Sequence, residues 1–365
     1  MIEELRLRNF KAFQEVEIAL TGLNLLVGAN GAGKSSVLQS IAVLKQSIES
    51  GAVGSGQLML NGELANLGTG RDVLHDNPLG DPPRIEIALA AEGVRASVVA
   101  DYSPDADQLA LYSSTSPWPE FAGLEQCTYI RADRLSPSEY YPYSYDSVLR
   151  KHAMGPRGEF AASYLQELGD SPVASGLMNA PDTGRSLLEQ TSAWLGEICP
   201  GVDLAPHRIA NTNLIRLDYG FGGSAGLGSS NRYRPTNIGF GISYALPIIV
   251  ACLVADSHSI LLLENPEAHL HPRGQSRLGE LLCRVAGLDA QVVVETHSDH
   301  LLNGVRLGVK RGLLKSGSAS CTFFTSENGV CAGIEQIGID SSGRLSSWPA
   351  GFFDEEEAVL SQLLY

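Results

Sequence analysis

The chain has 365 residues, 44% of them hydrophobic, which allows one large or two ordinary domains with a sizeable core. A formal net charge of −15 excludes a broadly basic nucleic-acid surface and leaves only a local one, with Arg306, Lys310, Arg311 and Lys315 the densest candidate and a solvated helix face its ordinary explanation. Six cysteines (Cys127, Cys199, Cys252, Cys283, Cys321, Cys331) include no C-x-x-C pair and read as reduced, mostly buried thiols.

Residues 2–8 and 14–20 alternate polar and apolar residues, as two strands would, around the turn Asn9-Phe10-Lys11-Ala12-Phe13. No leader pattern precedes them, so a cytoplasmic chain is expected. Leu23–Val27 is a short apolar strand. It runs into Gly28-Ala29-Asn30-Gly31-Ala32-Gly33-Lys34-Ser35, which fits G-x-x-x-x-G-K-[ST]. Val37, Leu38, Ile41 and Leu44 then recur at helical spacing, so a helix is expected to about residue 50. The chemistry follows from the order strand, glycine loop, helix. The glycines let successive N–H groups turn toward phosphate oxygens, and the helix N-terminus adds its positive dipole end. Asn30, Gly31, Gly33, Lys34, Ser35 and Ser36 are therefore expected around a nucleoside triphosphate, with Lys34 on the β- and γ-phosphates and the Ser35 hydroxyl on Mg²⁺.

Residues 57–76 read as an irregular active-site border; farther along, Ile85–Leu89 and Val94–Val99 predict a hairpin and Asp105–Leu111 another short strand. From 115 to 205 the pattern loosens, with helical stretches near 158–168 and 184–197. The Gly/Ser-rich run 220–230 reads as mobile without ligand. Helices are expected over Ile242–Asp256, Pro272–Ala286 and His300–Lys310, and buried strands over Ile260–Leu263 and Gln291–Glu295. The apolar stretch Ala245–Ala255, interrupted by Pro247, is too short for a bilayer and reads as a buried helix. A strand near Cys321–Thr325 and an acidic helix from about Asp354 close the chain.

Two strand ends carry further chemistry. Leu261-Leu262-Leu263-Glu264 ends in a carboxylate at the position that holds Mg²⁺ through water in phosphate-loop ATPases. Gln291-Val292-Val293-Val294-Glu295 ends at Thr296-His297-Ser298, where His297 can face a γ-phosphate or the attacking water. Asn237, Gly239 and Gly241 open the 242–256 helix with exposed N–H groups. Arg131 or Arg134 is a candidate for presentation to nucleotide or partner, and Gln57 a weak candidate for linking nucleotide to Mg²⁺.

Together these segments resemble the ATP-binding-cassette ATPase heads of the RecF, SMC and OLD group. The phosphate loop lies at 28–35, the signature segment at 237–243, the second acidic motif at 260–267, the D-loop region at 269–272 and the switch histidine at His297. More narrowly, the chain resembles a compact bacterial AAA-type ATPase branch. That branch carries Glu-Asn-Pro-Glu-Ala-His-Leu-His-Pro, here 264–272, and Glu-Thr-His-Ser-Asp, here 295–299. It also has a C-terminal segment of unknown function with Trp-Pro-x-Gly-Phe-Phe-Asp, here Trp348 to Asp354. The resemblance implies an α/β P-loop NTPase, an ABC-ATPase-like head with a mixed sheet flanked by helices, an inserted helical lobe and no coiled coil or Toprim domain. The expected division is 1–114, an inserted lobe at 115–205, the signature and switch part at 206–320, and a C-terminal segment at 321–365.

The resemblance further implies ATP and Mg²⁺ as cofactors and an ATP-dependent homodimer in which Asn237, Gly239 and Gly241 reach the γ-phosphate in trans. It also implies a separate effector encoded nearby, often in anti-phage defence, and no membrane. One departure bears on catalysis: the group usually has Asp-Glu where this chain has Glu264-Asn265. Asn265 can orient water but cannot accept its proton. Either Glu267 contributes or hydrolysis is slow and the chain works as an ATP-gated switch. The alternative is a RecF-like repair ATPase that binds DNA directly. A nuclease of the OLD type needs an acidic metal domain, which Glu327, Glu335 and Asp340 do not make. A transporter subunit would carry Leu-Ser-Gly-Gly-Gln.

Overall fold

The computed structural model describes residues 1–118, 124–180, 183–221, 232–237, 239–327, 330–354, 359 and 362–363. Its central sheet is built from the short apolar runs. β3 (Leu23–Gly28), β8 (Cys127–Ile130), β13 (Ile260–Glu264), β14 (Gln291–Glu295), β15 (Ala319–Glu327) and β16 (Val330–Gly338) lie in the order β16-β15-β3-β14-β13-β8. Neighbours are parallel except the β15–β16 hairpin. Every residue of β13 and β14 is buried, as expected for parallel strands covered on both faces. The side-chain period of two splits them between two cores: Ile260 and Leu262 face one, Leu261 and Leu263 the other.

The first core is closed by α1 (Lys34–Glu49) and by an antiparallel sheet ordered β2-β1-β5-β6-β7-β4. Its strands are β1 (Glu4–Phe10), β2 (Phe13–Ala19), β4 (Gln57–Met59), β5 (Arg84–Ala91), β6 (Val94–Asp101) and β7 (Gln108–Ser114), with the short α2 (Gly70–Val73) leading toward β5. The second core is covered by α6 (Phe240–Val254), α7 (Pro272–Ala286) and α8 (Asp299–Lys310). Against α6 pack α4 (Ala161–Leu168) and α5 (Leu187–Gly196), preceded by α3 (Tyr145–Leu149). With them goes a small antiparallel sheet of β9 (Tyr141–Pro142), β10 (Val202–Arg208), β11 (Leu214–Phe221) and β12 (Arg232–Tyr233). That sheet draws strands from both sides of residue 205, so the helical segment and the strands after it share one core.

The apolar stretch with Pro247 is buried within α6, and no helix among the described residues is long and apolar enough to cross a membrane. All six cysteines are free, and four are fully buried. Gly158 (φ +72°) admits the proline: a Cβ there would fall 2.2 Å from the Pro247 ring. The 220–230 run falls almost wholly outside the described residues, and so does most of the segment after Asp354. The strand expected near Cys321–Thr325 is longer and is the first half of a hairpin.

Candidate functional site

The C-terminal ends of β3, β13 and β14 and the start of α1 converge on one cavity of about 570 Å³. Positive φ and close neighbours require glycine at two positions of the loop. Gly28 has φ +143°, and a Cβ there would sit 2.3 Å from the Phe324 carbonyl oxygen; at Gly33 (φ +104°) it would sit 2.7 Å from the Phe13 ring. The β1–β2 turn thus clamps the loop from outside. Gly33 caps α1 without a side-chain hydrogen bond, leaving the helix's first N–H groups free of a capping side chain.

Asn30, Gly31, Gly33, Lys34, Ser35 and Ser36 line the cavity, as do Asn265 and His297. Lys34 Nζ is folded back, donating to the carbonyls of Gly28 (3.0 Å) and Ala29 (2.8 Å). Burial lowers its pKa, and the Glu295 carboxylate pulls it the other way. His297 follows β14 with part of its surface exposed and part covered; the partial burial, and then Lys34, lower its pKa. Asn265 has φ +42°, a conformation asparagine tolerates better than most residues. Its N–H donates to the Glu295 carbonyl (2.9 Å), while its side-chain Oδ1 is buried without a partner.

Glu264 and Glu267 stand behind this surface and do not line it. The Glu264 carboxylate accepts from the Tyr129 hydroxyl and from the Ala132 N–H (2.9 Å). Glu267 Oε1 accepts from the His297 N–H (2.8 Å), its Oε2 is buried without a partner, and burial raises its pKa. Asn237, Gly239 and Gly241 lie at the start of α6, away from this cavity. Gly241 has a packing reason of its own, since a Cβ there would meet the His269 carbonyl oxygen at 2.6 Å.

Arg134 does not present itself to a ligand. It is 1% exposed and donates to the carbonyls of Glu264 (2.8 Å), Asn265 (2.7 Å) and Arg131 (3.1 Å). Burial lowers its pKa to about 10, so it stays charged at neutral pH while fixing the backbone after β13. Gln57 opens β4 and is not among the residues lining the cavity.

Two further groups line the cavity. Lys11 reaches over from the β1–β2 turn, its Nζ donating to Gln39 Oε1 (2.7 Å), and Arg71, Asp72, His75 and Asp76 form the far wall from and beyond α2. The sequence marks 57–76 only as an irregular border, and the fold picks Arg71, Asp72, His75 and Asp76 out of it. Glu295 was legible as an ionisable residue ending a buried valine run, but nothing in the sequence shows which way it faces.

Residues 23–303 match a family model described as "AAA domain, putative AbiEii toxin, Type IV TA system", and residues 314–363 match one described as "Protein of unknown function (DUF3696)". The chain is similar to an OLD nuclease of Thermus scotoductus, 23% identical over 327 residues. The match takes in 82% of this chain but only 59% of that protein's length. Among solved structures it is similar to an SMC head bound to the C-terminal winged-helix domain of ScpA, with a TM-score of 0.55 and 14% identity over 92% of this chain and 97% of that one. It is also similar to an SMC head with an extended coiled coil bound to the C-terminal domain of ScpA from Pyrococcus furiosus, with a TM-score of 0.50 and 12% identity over 100% and 99% of the two chains. With the fold of an ABC-type ATPase head and the family match over most of its length, the chain belongs to the AAA-domain ATPase family of that description.

Proposed function

We propose that the chain binds ATP with Mg²⁺, hydrolyses it slowly, and uses it to gate a homodimer that controls a separate effector. The carrying observation is that the phosphate loop, Asn265 and His297 line one cavity of nucleotide size. The residues fit the ligand. The loop N–H groups and the α1 terminus suit phosphate, and Lys34 has only two carbonyls to leave in order to reach it. Mg²⁺ bound there would offset charge on the phosphates. A neutral His297 can hydrogen-bond a phosphate oxygen or hold water in line. Asn265 can orient that water, but it has no basic site for the proton. Glu267 supports the same loop by accepting the His297 N–H; it does not line the cavity, so it could take the proton of a water there only through a relay. Slow turnover follows from this arrangement.

Asn237, Gly239 and Gly241 do not line the chain's own cavity, and Asn237 and Gly239 are exposed, which fits contact with the nucleotide of a second copy. The family description names a toxin–antitoxin system, which supports a role beside a separate effector in defence. The basic cluster offers DNA little. Arg306 donates to the Gly343 carbonyl (2.8 Å) and Arg311 pairs with Glu280 (3.2 Å).

The test is steady-state ATP hydrolysis of wild type, Lys34→Ala and Glu267→Gln, with sedimentation in ADP and in ATP. Slow turnover lost in Lys34→Ala, with an ATP-dependent dimer, is the expected result. Fast turnover, or a monomer in both nucleotides, overturns the switch reading.

A further inference from the structure

The β14 strand lies between β3 and β13 and pairs with both. Glu295 is in register with Leu26 on the phosphate-loop side and with Glu264 on the other. Of the two carboxylates that end these strands, Glu295 is therefore one strand nearer to Ser35. The two differ in what already holds them. Both oxygens of Glu264 accept hydrogen bonds from the protein, from Tyr129 and Ala132. Glu295 is 6% exposed and lines the cavity, and its Oε2 is buried with no partner. The Ser35 hydroxyl lies against the Glu295 carboxylate and favours its charged form, while burial disfavours it. A buried carboxylate oxygen without a donor is costly unless something positive meets it. Lys34 does not do so directly, because its ammonium donates to Gly28 and Ala29.

We infer that Glu295, rather than Glu264, supplies the protein carboxylate that binds Mg²⁺ beside Ser35; this rests on the ATP-binding reading above. A carboxylate and a hydroxyl on one side, with nucleotide phosphates and water completing the set, match the hard-oxygen, few-protein-ligand pattern of Mg²⁺ sites at phosphates. Among the described residues no group of three or more His, Cys, Asp or Glu side chains is arranged to hold a metal. That fits an ion which shares its ligands with the nucleotide. Glu264 then acts as a positioning residue, holding the Tyr129 hydroxyl and the Ala132 backbone behind the site.

The experiment measures ATP affinity of the full chain by calorimetry in EDTA and in excess Mg²⁺, with Mn²⁺ binding to the ATP complex followed by electron paramagnetic resonance. Wild type, Glu295→Gln, Glu264→Gln and Lys34→Ala are compared. Removing a first ligand should lower the Mg²⁺-dependent gain in ATP affinity by about tenfold or more in Glu295→Gln, with a matching loss of Mn²⁺ affinity. The loss in Glu264→Gln should be smaller. The melting temperature of nucleotide-free Glu295→Gln should equal or exceed that of wild type, because a buried charge has been removed; a merely structural carboxylate would show the reverse. If Glu295→Gln does not fold, Glu295→Asp serves, and a wild-type metal dependence there overturns the assignment. An unchanged Mg²⁺ gain in Glu295→Gln overturns it too, even with hydrolysis lost, since Glu295 would then be a proton acceptor. Wild-type ATP binding by Lys34→Ala would instead remove the nucleotide reading itself.

Discussion

Replacing Arg134 by Met separates two readings of that residue. From the sequence it could serve a nucleotide or a partner; in the structure it holds the backbone after β13. Three carbonyls, of Glu264, Asn265 and Arg131, accept from it at 2.7–3.1 Å, and the side chain is 1% exposed. Hydrogen bonds from a charged donor are worth about 1.5–3 kcal/mol each. Removing the guanidinium also removes its burial penalty, visible in its lowered pKa. Met fills much of the same volume, so a cavity adds little. The net loss should be about 2–4 kcal/mol, since two of the three carbonyls belong to the strained Glu264–Asn265 corner and lose a buried donor. For a chain of this size that corresponds to a fall of roughly 3–5 °C in melting temperature. The assay is scanning calorimetry of the nucleotide-free protein, with ATP affinity measured beside it. Arg131→Ala is the control: its exposed pairing with Asp133 should move stability by less than about 0.5 kcal/mol. A melting point for Arg134→Met within about 1 °C of wild type, with ATP or dimer affinity lost, would refute the buttress and restore the ligand-facing reading.

Two further outcomes are expected. His297 titrates below its ordinary 6.5, because burial and Lys34 disfavour its charged form; the unfolded chain then takes up the proton first, so this group's contribution to stability is present above about 6.5 and lost as pH falls through the folded value. An NMR titration should show this, and Lys34→Ala should move the value upward. In the C-terminal segment Phe352 is 1% exposed, with ring centroids 5.5 Å from Phe323 and 5.2 Å from Trp348, so Phe352→Ala should cost about 3–5 kcal/mol in urea unfolding. Trp348 is 51% exposed, and its truncation should cost much less. Equal and small effects would mean that the segment packs elsewhere.

The sequence by itself determined the elements whose signal is local. The phosphate loop needs glycine at Gly28 and Gly33, and the short apolar runs Ile260–Glu264 and Gln291–Glu295 read as strands buried on both faces. The bounds of α7 follow from Pro272 at its start and the apolar period after it. Residues 127–130, 202–221 and 330–338 carry no comparable pattern, because their strands gain their partners from distant parts of the chain. The site divides the same way. Lys34, Ser35 and His297 are legible because their positions relative to a strand end are fixed by a few intervening residues. The order of strands is not local: that β14 lies between β3 and β13 is decided by how the helices on the two faces pack. That order alone brings Glu295 to Ser35, leaves Glu264 to Tyr129 and Ala132, and turns Arg134 inward. A carboxylate at a strand end is written in the sequence, but what it faces depends on which strand folds beside it.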